Sequence, residues 1–156
     1  MEGPRGYERS DGVGAQTPVG AALRASVQVI FDTDVLIWAS RLDPHAKEFI
    51  LAERDRAASM VTLMEVLAGA KSKADLMITR RFFMDLEIRL IPVDESISYL
   101  AANLIEDHRL VDGLGVTNAV IAATAREAGE TLATGNVPHF RGIPNLALKS
   151  FRPSRP

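Results

Sequence analysis

The hydrophobic pattern has one organising stretch, Val29-Ile30-Phe31-Asp32-Thr33-Asp34-Val35-Leu36-Ile37-Trp38. The apolar, β-branched rise to Phe31 reads as a buried parallel strand, and the apolar residues beyond Asp34 return at helical spacing. Two carboxylates one residue apart stand at the junction. In an open parallel sheet the carboxyl ends of the strands face a crevice with no packed layer over it, which puts Asp32 at its lip, within reach of solvent and ligand.

The rest of the chain repeats the alternation. Helices are predicted over 35–41, from Pro44 to about Arg54, over 62–69, over 71–87, from Glu95 to about Leu110 and over 117–126; Pro44 suits a first helical position. Strands are predicted over 57–61, 88–93, 131–134 and 146–151, the last at an edge. Segment 71–87 is amphipathic, with Leu76, Phe82, Phe83 and Leu86 at helical spacing. Segment 117–126 is small and apolar around its whole circumference, so it reads as a helix buried on most sides and stopped by Gly129. Asp112-Gly113-Leu114-Gly115 reads as a loop and Gly135 to Pro138 as a turn. The order predicts an α/β fold with a mainly parallel sheet. Residues 1–24 are glycine-rich without apolar periodicity or a secretory h-region and read as a disordered leader; 25–152 read as one domain and 153–156 as a tail.

Composition narrows the class. At 156 residues and 47% hydrophobic, the chain is long enough for one domain with a real core. A net charge of -2 excludes a histone-like polyanion binder, yet leaves room for a nucleic-acid enzyme whose basic residues are local. The lack of cysteine excludes disulfides, zinc-thiolate sites, iron-sulfur clusters and cysteine nucleophiles, and it suits a reducing compartment; a cytoplasmic location is expected. No apolar run reaches the roughly 20 residues of a membrane span.

Four polar residues occupy comparable places: Asp32 after the first strand, Glu65 and Asn118 near helix starts, and Asn136 after the strand at 131–134. Each has an ordinary structural use. Asp32 or Asp34 serves as a helix cap, Thr62-x-x-Glu65 fits a capping box, Asn118 suits an N-cap and Asn136 a left-handed turn. Taken jointly, they gather at the carboxyl edge of one sheet. Converging carboxylates repel unless a cation neutralises them, and an all-oxygen shell selects a hard ion such as Mg²⁺ or Mn²⁺. Phosphodiester hydrolysis is the chemistry such an ion supports.

Four motifs carry a resemblance: the stretch from Val29 to Ile37; the helix holding Glu65; the run Asn118-Ala119-Val120-Ile121-Ala122-Ala123-Thr124-Ala125-Arg126-Glu127-Ala128-Gly129; and Leu132-Ala133-Thr134-Gly135-Asn136-Val137-Pro138-His139-Phe140. In order and spacing, from about Val27 to Phe151, they resemble the PIN-domain ribonucleases, in particular the toxin subunits of VapBC-type toxin-antitoxin pairs. The resemblance implies a three-layer α/β/α sandwich and a Mg²⁺- or Mn²⁺-dependent endoribonuclease. It also implies metal-binding and catalytic positions at Asp32, Glu65 and Asn118, a further catalytic position at Asn136, and supporting roles for Thr33, Asp34 and Thr134 in orienting ligands and water. A homodimer and a small antitoxin whose tail crosses the site are implied as well.

One departure matters. Where the family's small-residue helix opens on Asp-Ala, this chain has Asn118-Ala119. The amide keeps shape and one acceptor oxygen but loses a charge, so weaker metal binding and reduced hydrolysis are expected. Whether this is a disarmed enzyme or a natural degenerate copy is open, and a module that binds antitoxin or RNA without cleavage is the alternative. The basic set Lys71, Lys73, Arg80 and Arg81 reads either as a solvated helix face or as a contact for RNA or an acidic antitoxin tail. Leu51, Met64 and Leu67 are candidates for an antitoxin groove. Asp32-Thr33-Asp34 also echoes the opening of haloacid-dehalogenase-like phosphatases, but no acidic residue follows Glu130 to supply their late acidic pair. His45, His108 and His139 show no metal-ligand spacing, and His139-Phe140 is expected to pack or to contact backbone. Ser59 lacks a nucleophile elbow.

Overall fold

The structure is a computed structural model that describes residues 28–154; the leader reading over 1–24 lies outside them. Five strands, β1 (Val29–Phe31), β2 (Arg56–Ser59), β3 (Arg89–Ile91), β4 (Thr131–Thr134) and β5 (Leu148–Ser150), form one sheet in the order β3-β2-β1-β4-β5. Every pairing is parallel, with Val29 opposite both Arg56 and Thr131. The helices are α1 (Thr33–Ser40), α2 (Pro44–Leu51), α3 (Met60–Ala68), α4 (Lys73–Asp85), α5 (Glu95–Asp112), α6 (Val116–Ala128) and the single turn α7 (Val137–Phe140).

Two-residue alternation sorts the strands into two cores. Val29, Phe31, Ala58 and Ala133 face one cluster, with Val35, Leu36, Ile50, Leu63 and Phe83 from α1 to α4. Ile30, Ala57 and Leu132 face the other, with Ile97, Leu104, Ala119, Ile121, Ala122 and Phe140 from α5 to α7. The result is the expected three-layer α/β/α sandwich. Alanines at 119, 122, 123 and 125 let α6 lie against α5 and the sheet with no room lost to side chains, which is why that helix is small and apolar all round.

From β1 the chain first proceeds outward to β2 and β3, then crosses back to lay β4 on β1's other side. The point where strand order reverses therefore lies between the carboxyl ends of β1 and β4, the place where open parallel sheets hold ligands. Asp32 and Thr134 are the residues there.

Several expectations need correction. The capping box Thr62-x-x-Glu65 is absent because α3 starts earlier: Ser59 is its N-cap, accepting from the Val61 amide at 3.3 Å. Asn118 is no N-cap either, since α6 begins at Val116 after Gly115. Asn136 has φ -112°, outside the left-handed region, and precedes a helical turn in the segment expected to be a plain turn. Lys71 precedes α4, which ends at Asp85, and Leu76 is 40% exposed because only Phe83 of that helix is fully buried. Asp112 closes α5 and does not open a loop; left-handed Gly113 ends the helix. The second helix stops at Leu51, short of Arg54.

Candidate active site

Asp32 sits between β1 and α1 and performs two tasks with its two oxygens. Oδ1 accepts the Thr33 amide at 2.7 Å, capping α1, while Oδ2 accepts the Thr134 hydroxyl at 2.8 Å across the β1–β4 boundary. The cap expected of this residue and its place in the site are thus the same arrangement. It is more enclosed than a residue at the lip of a crevice, at 5% exposure.

From Asp32 a hydrogen-bonded network runs both ways. On one side the Thr33 hydroxyl donates to Glu65 Oε2 at 2.5 Å and lies 3.4 Å from the buried Thr62 hydroxyl, tying α1 to α3. On the other, Thr134 Oγ1 accepts the Asn136 amide N–H at 2.9 Å, the Asn136 side-chain nitrogen lies 2.9 Å from His139 Nδ1, and the Asn118 side-chain nitrogen lies 3.4 Å from the same atom. Residues from the β1–α1 junction, α1, α3, α6, β4 and α7 are linked in one chain of contacts. All four primary candidates and the three supporting ones belong to it or border it.

Asp34 holds the loop after β4. Its Oδ2 accepts the Gly135 amide at 2.9 Å, an approach so close that a Cβ on Gly135 would stand 2.5 Å from that oxygen. A side chain there would have to push the Asp34 carboxylate off the Gly135 amide, so glycine is favoured by contact and not by φ. The other oxygen, Oδ1, is buried with no hydrogen-bond partner among the described residues.

The electrostatics follow from crowding acids under cover. Burial pushes the Asp32 carboxyl up to about 6; the neighbouring Asp34 carboxylate adds to this, the Thr134 and Thr33 hydrogen bonds oppose it, and Glu65 contributes less. Burial likewise raises Asp34, against the pull of the Gly135 amide. Asp34, expected only as a supporting group, is the stronger electrostatic neighbour of Asp32. Acids raised together in this way form a site that gains from a cation.

The donor set suits a hard divalent ion: carboxylate oxygens at Asp32 and Glu65, an orphaned carboxylate oxygen at Asp34, and amide oxygens at Asn118 and Asn136. Among the described residues no three carboxylate, imidazole or thiolate groups form a ready-made metal cluster. Any ion held here would lean on amides and water for its remaining ligands.

Sequence reasoning passed over two members. Thr62 is fully buried against Thr33, where the capping-box reading had hidden it. The His139 ring meets neither core nor backbone; it faces the two asparagine side chains, while Phe140 beside it does pack into the core. The spacing Asn136-x-x-His139, one helical turn apart after a proline-initiated bend, was the available signal.

The basic set divides. Lys73, Arg80 and Arg81 lie on α4 with Lys71 just before it, and Arg81 pairs with Asp85 at 3.5 Å on the surface. Of the apolar groove candidates, Leu51 and Met64 are exposed but Leu67 packs on the core. An open groove of about 550 Å³ lies between α1, α2 and α4, lined by Ala39, Leu42, Met77, Ile78, Phe82 and Leu86, with Lys47, Arg81 and Asp85 beside them.

Residues 29–141 match the family model for the PIN domain. The chain belongs to the PIN-domain family. PIN domains are, as a family, nucleases that use divalent metal ions. Among solved structures, a chain of a toxin-antitoxin complex from Klebsiella pneumoniae is 30% identical, with TM-score 0.64 over 77% of this chain and 96% of that one. Chains of VapBC2 from Rickettsia felis, bound to a DNA fragment from its promoter, and of VapBC from Salmonella typhimurium, also DNA-bound, share the PIN fold at TM-score 0.67. Their identities are 22% and 21%, and each match covers 80% of this chain and 98% of that one. No curated protein matches the sequence. The family and fold expected from the motifs are borne out: a PIN domain on a three-layer α/β/α sandwich. Among the described residues no helix is long and apolar enough to cross a membrane.

Proposed function

We propose that this PIN domain is the toxin of a toxin-antitoxin pair, an endoribonuclease that depends on Mg²⁺ or Mn²⁺ and is weakened by asparagine at position 118. The observation that carries the reading is the network joining Asp32, Glu65, Asn118 and Asn136 at the strand-order reversal. Asp32 and Glu65 would hold the ion, with the Asn118 amide oxygen in place of a third carboxylate. When bound, the ion supplies charge neutralisation and Lewis acidity at a phosphodiester. Thr33 and Thr134 fix the carboxylates by donating to them, so the acid groups need no rearrangement when a substrate arrives. Asp34 pins the loop that carries Asn136. Lys71, Lys73, Arg80 and Arg81 are proposed as contacts for the RNA backbone or an acidic antitoxin tail.

The complexes formed by the similar structures support an antitoxin partner. Its helix would lie in the groove between α1, α2 and α4, where Met77 and Ile78 are 73% and 66% exposed. A homodimer and a cytoplasmic location complete the proposal. The neutral Asn118 side chain, set against His139, favours a second reading in which the domain binds its partners but no longer cuts.

A divalent-ion titration followed by an RNA gel tests the proposal. Cleavage that appears with Mn²⁺ and disappears with EDTA is the expected result, slow in this chain. Ion binding and cleavage both absent, with antitoxin binding intact, would support the second reading instead.

A further inference from the structure

We propose that His139 is a substrate-anchoring residue, whose exposed Nε2–H donates to a phosphate oxygen of the nucleic-acid strand entering the acidic site. The inference rests on the nuclease reading of this site and adds a residue to it. A neutral imidazole has one donor and one acceptor nitrogen. The side-chain nitrogens of Asn118 and Asn136 both approach Nδ1, at 3.4 Å and 2.9 Å. Amide nitrogens only donate, so Nδ1 accepts and the ring proton resides on Nε2, which has no hydrogen-bond partner among the described residues.

The ring is also well held. It lies one turn after Asn136 in α7, follows Pro138, and precedes Phe140, which is completely buried and fixes the turn against α6 and the sheet. His139 itself is exposed. The chain of hydrogen bonds from Asp32 through Thr134 and Asn136 ends at this ring, which places His139 at the outer end of the network that begins at Asp32. A phosphodiester approaching Asp32, Asp34 and Glu65 meets repulsion on that side. A preorganised N–H donor at His139 offers it an oriented contact.

The competing role is purely structural, with the ring merely orienting the two asparagines. Two substitutions separate the roles. His139→Asn puts an acceptor oxygen near the place of Nδ1 but has nothing to reach the place of Nε2; His139→Gln can present an amide nitrogen there. Binding of a labelled single-stranded RNA to the full chain is read by anisotropy in Ca²⁺, alongside Mn²⁺ affinity measured without RNA. His139→Asn is expected to weaken RNA binding about tenfold, the scale of one charge-assisted hydrogen bond, with Mn²⁺ affinity unchanged. His139→Gln should stay within about twofold of the unsubstituted chain. RNA affinity unaffected by His139→Asn, a parallel loss of Mn²⁺ affinity, or no RNA binding by the unsubstituted chain would overturn the proposal. The nuclease reading is judged separately, by cleavage after Asn118→Asp. Should that chain never cut while His139→Asn still weakens RNA binding, the anchor stands and the nuclease reading falls.

Discussion

Asn118→Asp should raise divalent-ion-dependent RNA cleavage by on the order of 100-fold, the scale seen when one charged or preorganised group of a metal or oxyanion site is restored. Position 118 lies in the first turn of α6, and its side chain is tied through His139, Asn136 and Thr134 to Asp32. On the proposed reading, an ion drawn there by Asp32 and Glu65 would find an amide dipole where a full negative charge would bind it far more strongly. The substitution changes charge with almost no change in shape, so the fold should tolerate it. Initial rates on a labelled RNA, compared in Mn²⁺ and in EDTA, give the answer. Equal, negligible rates for both chains would remove position 118 from the site.

Asp32 should govern how stability depends on pH. Its folded-state carboxyl titrates at about 6 against a usual 3.8, so the folded state binds the proton more tightly than the unfolded one. Well below the ordinary value of 3.8 the acid is neutral in both states and exacts no penalty. As pH rises through 6 the folded state must carry a buried charge, at a cost approaching about 3 kcal/mol. Asp32→Asn removes that charge. Measured by denaturant unfolding in EDTA, the variant's stability relative to the parent should improve by a few kcal/mol between pH 4 and 7.5, partly offset by the acceptor it loses for Thr33 or Thr134. Using the difference cancels Asp43, whose carboxyl is lowered by hydrogen bonds from Ala46 and Ser154 and which acts in the opposite direction. Saturating Mn²⁺ should stabilise the parent at neutral pH and leave Asp32→Asn nearly unmoved. A flat difference across this pH range would mean that Asp32 is not the strained acid of the fold.

The two predictions have one cause. Gathering acids at the end of a parallel sheet costs stability in the bare protein, and the same unfavourable charge supplies the affinity for a cation. On the proposed reading, position 118 would set how much of that charge is present.

Much of this was legible before any coordinates. The apolar run into Asp32, the all-round small helix after Asn118 and the strand ending at Thr134 are patterns in which burial decides residue type, so the sequence displays them directly. What it could not display was the alignment of elements that are distant in the chain. Thr62 and Glu65 fit a capping box by spacing, and only the position of Ser59, one turn earlier, shows that α3 starts before them. Asn118 and Asn136 suited local caps and turns for the same reason: local chemistry explains an asparagine adequately until the packing of α7 on α6 brings the two to one imidazole. His139 was passed over because imidazoles were weighed as metal ligands and bases, whereas its observed partners are amides. The exposed Met77 and Ile78 were hidden in an amphipathic pattern that assigned Leu76 to the core, although Phe83 is the one residue of α4 that is buried there.

Crystals of the chain soaked in Mn²⁺ and measured at the manganese edge test the central claim most directly. The account predicts an anomalous peak about 2.2 Å from oxygens of both Asp32 and Glu65, weakly occupied in this chain and full after Asn118→Asp. Manganese bound elsewhere, or carried by only one of these two carboxylates in both forms, would contradict it.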